Sequence, residues 1–106
     1  MRMHNPPHPG GIIKENLIEV GLTIAQAAAS LGVSETLLAA VVAEQAAVPA
    51  DLAVRLELAG WSTAATWMGM QAAHDIWQAE QQADRYRIRR LPMTKAIADT
   101  SSNETI

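Results

Sequence analysis

Apolar residues recur along this chain at steps of three and four far more often than at steps of two, and glycines or polar caps close the runs. Ile12, Ile13, Leu17 and Val20 share one face of a segment that starts at Pro9 and ends at Gly21. Proline suits the first turn of a helix because its missing N–H is not needed there. Thr23 followed by Gln26 has the spacing of a capping box, so TIAQAAASL predicts a second short helix, stopped by Gly32. Ser34 then caps a third helix, ETLLAAVVAEQAA, after a turn of about three residues.

A fourth helix, PADLAVRLELAG, is expected from Pro49 to Gly60 with Leu52, Leu56 and Ala59 turned inward. The fifth begins at Ser62 and is the longest. In it Trp67, Met70, His74, Trp77 and Gln81 recur like the seam of a coiled coil, which suits packing on the domain itself and, in part, on a second copy. From Arg85 the period changes to two, with Tyr86 and Ile88 between arginines, and fits a short strand with one basic face better than a frayed helix end. The expected organisation is an irregular arm over residues 1–8, a helical domain over 9–84, and a basic segment with a disordered tail over 85–106.

The second and third helices have the internal spacing of a helix-turn-helix. Ala28 stands four before Gly32, where two backbones approach closely, and Leu38 and Val41 stand six and nine after it, where the second helix anchors in the core. An ordinary helical hairpin carries the same small residue, glycine and two aliphatics, so the spacing alone leaves both open.

Composition narrows the setting. The chain has 106 residues, enough for one domain, and its apolar excess is alanine, with no phenylalanine and no cysteine. Disulfides and thiolate metal sites are excluded, and a reducing cytoplasm is the expected location, since no stretch has the length of a signal peptide's apolar run or a membrane span. His4, His8 and His74 lack ligand spacing, and there is no nucleophile–base pair or phosphate loop, so neither metal, cofactor nor catalysis is expected. Charge is divided: residues 1–84 hold nine acids and three bases, residues 85–106 five bases and two acids. An acidic body is the reverse of what gripping phosphate favours, and Arg85, Arg87, Arg89 and Arg90 are the obvious source of any phosphate contact.

The motifs HPGGIIKENLIEVGLT, AASLGVS, ADLAVRLELAG and STAATWMGMQAAHDIWQAE, spanning residues 8–80, resemble the HigA-type antitoxins, the VapI-like branch of the repressor-type helix-turn-helix family. The last is the most specific. The resemblance implies an all-α, five-helix, lambda-repressor-like domain with a short C-terminal extension. It implies a two-fold homodimer that reads a palindromic operator with its third helix, represses its own transcription and neutralises a HigB-type ribonuclease toxin, without enzymatic activity or cofactor.

The third helix departs from that family's pattern. Ser34 and Leu38 are kept, but Glu35 stands where arginine is frequent, Ala39 where serine is usual, and Ala43, Glu44 and Gln45 where the family has Asn-Gly-Lys or Asn-Gly-Arg. The positions that would face DNA are Ser34, Glu35, Thr36, Ala39, Ala40 and Gln45. Thr36 could graze a thymine methyl or a phosphate and Gln45 could reach a base, but alanine offers only a methyl where bidentate donors read bases. With glycine missing at 44, this helix is expected to run a turn longer. Leu37, Ala39, Ala40, Val42, Ala43, Ala46 and Ala47 would then form an exposed apolar face suited to protein contact. That is a surface rewritten for assembly by specialisation or by design, and the retained repressor is the alternative.

Overall fold

The computed structural model describes residues 5–93, which form five α-helices and one 3-10 turn, with no strand among the described residues. The helices are α1 (Pro9–Val20), α2 (Ile24–Leu31), α3 (Glu35–Val42), α4 (Ala50–Leu58) and α5 (Ala64–Glu80), and the turn is Ala83–Arg85. α3 packs against both α1 and α2, and α4 runs against α5. The core between them is Ile13, Leu17, Ala27, Ala28, Leu38, Val41, Val42, Val48, Leu52, Ala53, Leu56 and Trp67. Each large aliphatic side chain fully removed from water contributes roughly 1.5–3 kcal/mol. Among the described residues, no single helix is long and apolar enough to cross a membrane.

Four helices stop by the same device. At Gly21, Gly32, Glu44 and Gly60 the chain takes a positive φ, and the next residue's N–H returns to a carbonyl five residues earlier in the chain. Leu22 donates to Leu17, Val33 to Ala28, Gln45 to Ala40 and Trp61 to Leu56, each at 2.9–3.0 Å. This is the Schellman closure, which satisfies carbonyls that a helix end leaves open. The third helix is therefore not lengthened by the absence of glycine. It ends at Val42 with Ala43 as cap, because Glu44 itself adopts the left-handed conformation at φ 63°.

Other expectations shift by a residue or a turn. Val20 is exposed because the last turn of α1 passes the edge of its neighbours, leaving Ile13 and Leu17 as the buried pair. Ala59 is the exposed cap of α4, and Ala53 fills the inward position beside Leu52 and Leu56. α5 starts two residues after Ser62, which takes a positive φ while Thr63 caps the helix. Residues 86–93 run irregularly and exposed with no strand partner among the described residues, so their period of two does not become a strand here. The expected arm over residues 1–4 and the tail beyond 93 lie outside the described residues.

Candidate nucleic-acid interface

The pairing of α2 with α3 is built from local capping. Thr23 Oγ1 accepts from the Gln26 N–H at 3.1 Å, while Gln26 Oε1 accepts from the Thr23 N–H at 2.9 Å, so both ends of the capping box are closed. Ser34 Oγ accepts from the Leu37 N–H at 3.0 Å and starts α3. The axes of α2 and α3 meet at 119°, at the wide end of the range of helix-turn-helix motifs. Ala27 and Ala28 are buried under this corner, and Leu38 and Val41 anchor α3 with no exposed surface.

Two further contacts hold the corner. Arg55 on α4 donates to the carbonyl of Leu31 at 2.9 Å and of Gly32 at 3.3 Å, and its Nε donates to Asp51 at 2.8 Å. Gly32 is required twice, since its φ is 72° and an added Cβ would come within 2.9 Å of the Arg55 guanidinium. At the other end of α3, α1 approaches so closely that a Cβ on Gly10 would collide with the carbonyl oxygen of Val41. His8 caps α1 there, its Nδ1 accepting from the Gly10 N–H at 2.9 Å.

The outer side of α3 forms one shallow hollow lined by Glu35, Thr36, Ala39, Ala40, Ala43 and Gln45. Five of the six positions expected to face DNA thus come together, and Ser34 is engaged at the helix start as a cap. The hollow holds a carboxylate, a hydroxyl, an amide and three methyl groups. Arg55, the cation at the α2–α3 corner, already donates to backbone carbonyls and Asp51. Such a surface can make van der Waals contact with thymine methyls and a few hydrogen bonds, and Glu35 opposes phosphate.

The apolar face expected for protein contact is smaller than its sequence suggests. Val42 is 7% exposed and belongs to the core, while Leu37 and Ala46 pack against that core. Leu37 and Val42 lie on the flanks of the stripe that Leu38 and Val41 turn to the core, and Ala46 lies where the chain returns toward the buried Val48. Ala39, Ala40, Ala43 and Ala47 remain at the surface or partly exposed.

The expected seam on α5 divides likewise. Trp67 is 1% exposed, its Nε1 donating to the carbonyl of Trp61 at 2.6 Å, so it fills its own core and cannot seat a partner. Met70 packs partly against that core; His74 and Trp77 are half-buried, and His74 Nδ1 lies 3.1 Å from the Pro6 carbonyl. Gln71, absent from the seam, is buried and does the connecting: its Oε1 accepts from the Val48 N–H at 2.8 Å and its Nε2 donates to Asp75 at 3.0 Å. His8 and His74, far apart in sequence, stack edge to face with ring centroids 5.0 Å apart. Among the described residues, no group of three or more His, Asp or Glu could hold a metal ion. Neither Gln71 nor His8 was legible in the sequence: the partner of Gln71 is 23 residues away, and histidine is not among the usual N-caps.

No protein-family model matches the chain. Virulence-associated protein A' of Dichelobacter nodosus is 37% identical over 89 residues, covering 82% of this chain and 77% of that protein. The uncharacterised helix-turn-helix transcriptional regulator YddM of Escherichia coli (strain K12) is 30% identical over 91 residues, covering 86% of this chain and 97% of its own length. The structure of the Pseudomonas aeruginosa antitoxin HigA with the higBA promoter is similar at a TM-score of 0.72 and 30% identity, over 84% of this chain and 99% of that one.

Proposed function

This chain belongs to the HigA-type antitoxins, the VapI-like branch of the repressor helix-turn-helix family, and on that premise we propose that it is an operator-binding repressor. It acts as a two-fold homodimer joined along the outer side of α5, lays α3 in the major groove of a palindromic operator, represses its own transcription, and neutralises a HigB-type toxin in the cytoplasm. Its role is binding, with no chemical step. The observation that carries this reading is the 119° pairing of α2 and α3 with one continuous outer surface on α3.

Because that surface is poor in donors, the affinity for operator comes from shape, backbone contact and methyl packing more than from paired hydrogen bonds. Thr36 and Gln45 are the polar base or phosphate contacts, and Ala39, Ala40 and Ala43 lie against base edges. The test is a titration of the full chain against palindromic duplexes from its own promoter region and a scrambled duplex at physiological salt. A preference of about a thousandfold or more is expected of a specific repressor. Equal weak binding to both duplexes overturns the reading.

A second reading, that α3 makes a protein contact and the dimer is a scaffold for assembly, draws on the same methyl-rich hollow and on Glu35 at its edge. It differs in what is measured. Light scattering would find particles larger than a dimer, and Ala40→Glu would return them to dimers. A dimer that stays two-chained at high concentration removes this reading.

A further inference from the structure

We infer that residues 86–93 of one protomer lie as a strap across the outer face of α1 in a second copy of the chain, a contact that rests on the α5-joined dimer proposed above. Tyr86 is tied to its own chain, its N–H donating to the Ala83 carbonyl at 3.1 Å and its hydroxyl to the Ala79 carbonyl at 3.4 Å, and the strap beyond it lies open to solvent. Every residue from Tyr86 to Met93 is exposed, with Ile88 at 79% and Leu91 at 86%, and the backbone enters it in extended conformation at Tyr86. Its apolar side chains alternate with Arg87, Arg89 and Arg90. An exposed run of this kind calls for cover.

The outer face of α1 has the matching pattern. Glu15, Ile18 and Glu19 are spaced as i, i+3 and i+4 on α1, Leu22 follows just past the Gly21 cap, all are exposed, and Ile18 reaches 70%. Leu22 also edges an apolar cavity of about 180 Å³ shared with Ala59 and Trp61, open to an aliphatic side chain. In extended backbone Ile88 and Arg90 share one face of the strap, so Ile88 seats against Ile18 with the Arg90 guanidinium beside Glu15 and Glu19. Charge favours a second copy as occupant, since the body over residues 1–84 is acidic and the segment beyond it is basic.

The topology points the same way. The start of α5 lies beside the second half of α1, where Trp67 and Met70 share a hollow with Asn16, Glu19 and Val20. The 17 residues of α5 run about 26 Å, so a protomer's own strap begins at the far end of that helix. When two α5 helices pack antiparallel about a two-fold axis, the end of one comes beside the start of the other. Each strap then emerges next to the partner's α1 face.

The chain has no cysteine, which makes the test direct. The double variant Ile18→Cys/Ile88→Cys, mildly oxidised, is expected to run as a covalent dimer whose digest contains an inter-chain 18–88 disulfide, while each single variant stays largely uncross-linked. Light scattering on the reduced protein separates the two claims. A dimer without the 18–88 link, an 18–88 link within one chain, or ready cross-linking of Ile88→Cys alone overturns the strap and leaves the dimer standing. A single-chain particle overturns both. Glu15→Lys/Glu19→Lys is expected to raise the dimer dissociation constant about tenfold, with restoration by Arg90→Glu or Arg90→Asp in the same chain. If the arginine changes alone leave dimerisation intact and weaken binding to the scrambled duplex, the segment serves DNA phosphates and the strap is wrong.

Discussion

The inner and outer sides of α3 are made of nearly the same material and do opposite things. Leu38, Val41 and Val42 are aliphatic and buried, and they fix the helix in the domain. Ala39, Ala40 and Ala43 are also aliphatic, but they line a hollow open to solvent. Hydrophobicity therefore does not separate the two sides; size does. The large side chains mark the wall the domain needs, and the small ones mark the wall where another molecule's surface can come close to the helix backbone. A substitution on one side should be read in stability and a substitution on the other in binding.

The largest expected effect breaks the inner side. Leu38 has no exposed surface and touches a core supplied by α1, α2 and α4, so Leu38→Ala is expected to cost about 2–5 kcal/mol in urea unfolding. A loss below about 1 kcal/mol would mean that α3 is not anchored there. Next comes Gln71→Leu, which leaves the Val48 N–H without its buried acceptor and so loosens the chain where it returns from α3 to the core. A cost of about 1–3 kcal/mol is expected. Gln71→Glu keeps an acceptor for Val48 but replaces the donor to Asp75 with a second carboxylate, so it too is expected to destabilise, and more so at high pH than at low.

Much of this was legible in the sequence because it is local. Thr23 with Gln26, Ser34, Gly21 and Gly32 announce their caps through rules of one helical turn, and the spacing from Ala28 through Gly32 to Leu38 and Val41 narrows the pair to a helix-turn-helix or a hairpin. What was not legible depends on distant partners. Arg55 reaching the carbonyls of the turn and Gln71 meeting Val48 join residues more than twenty apart, and no periodicity encodes them. Val42 is expected in a contact face and Trp67 in a seam shared between the domain and a second copy, because a stripe on a helix wheel does not say which neighbour covers it; α5 and α3 each bury part of that stripe in their own domain. The end of α3 was misplaced for a third reason. A missing glycine removes a preference, not a conformation, and Glu44 adopts the left-handed turn anyway.

On the outer side, Ala40→Glu is the sharpening experiment. Ala40 lines the open hollow and is not in the core cluster, so stability should change by no more than about 0.5 kcal/mol. A second carboxylate beside Glu35 on the surface offered to DNA should lower affinity for the operator by on the order of tenfold. Equal losses in both measurements would show that the two sides of α3 are not separable in the way their burial indicates.

The smallest effect concerns the residue where the two sides end. Glu44 holds φ 63° so that its own N–H can reach Val41 and the Gln45 N–H can reach Ala40, both at 2.9 Å. A side chain in this conformation places Cβ against the carbonyl and costs about 1 kcal/mol, which glycine avoids. Glu44→Gly should therefore stabilise the domain by about 0.5–1 kcal/mol, raising Tm by about 2–8 °C, without altering α3. One contact pulls the other way: the Glu44 carboxylate lies over Gly11, where Oε2 would be 2.8 Å from an added Cβ, and glycine leaves that ground open. Glu44→Asn keeps a polar side chain and tolerates the left-handed region better than glutamate, so it isolates the backbone contribution. If both variants stabilise, backbone strain dominates at the end of α3. If glycine destabilises and asparagine does not, the side chain over Gly11 matters more than the φ angle, and the hollow on the outer side is held partly by the contact between α1 and the end of α3.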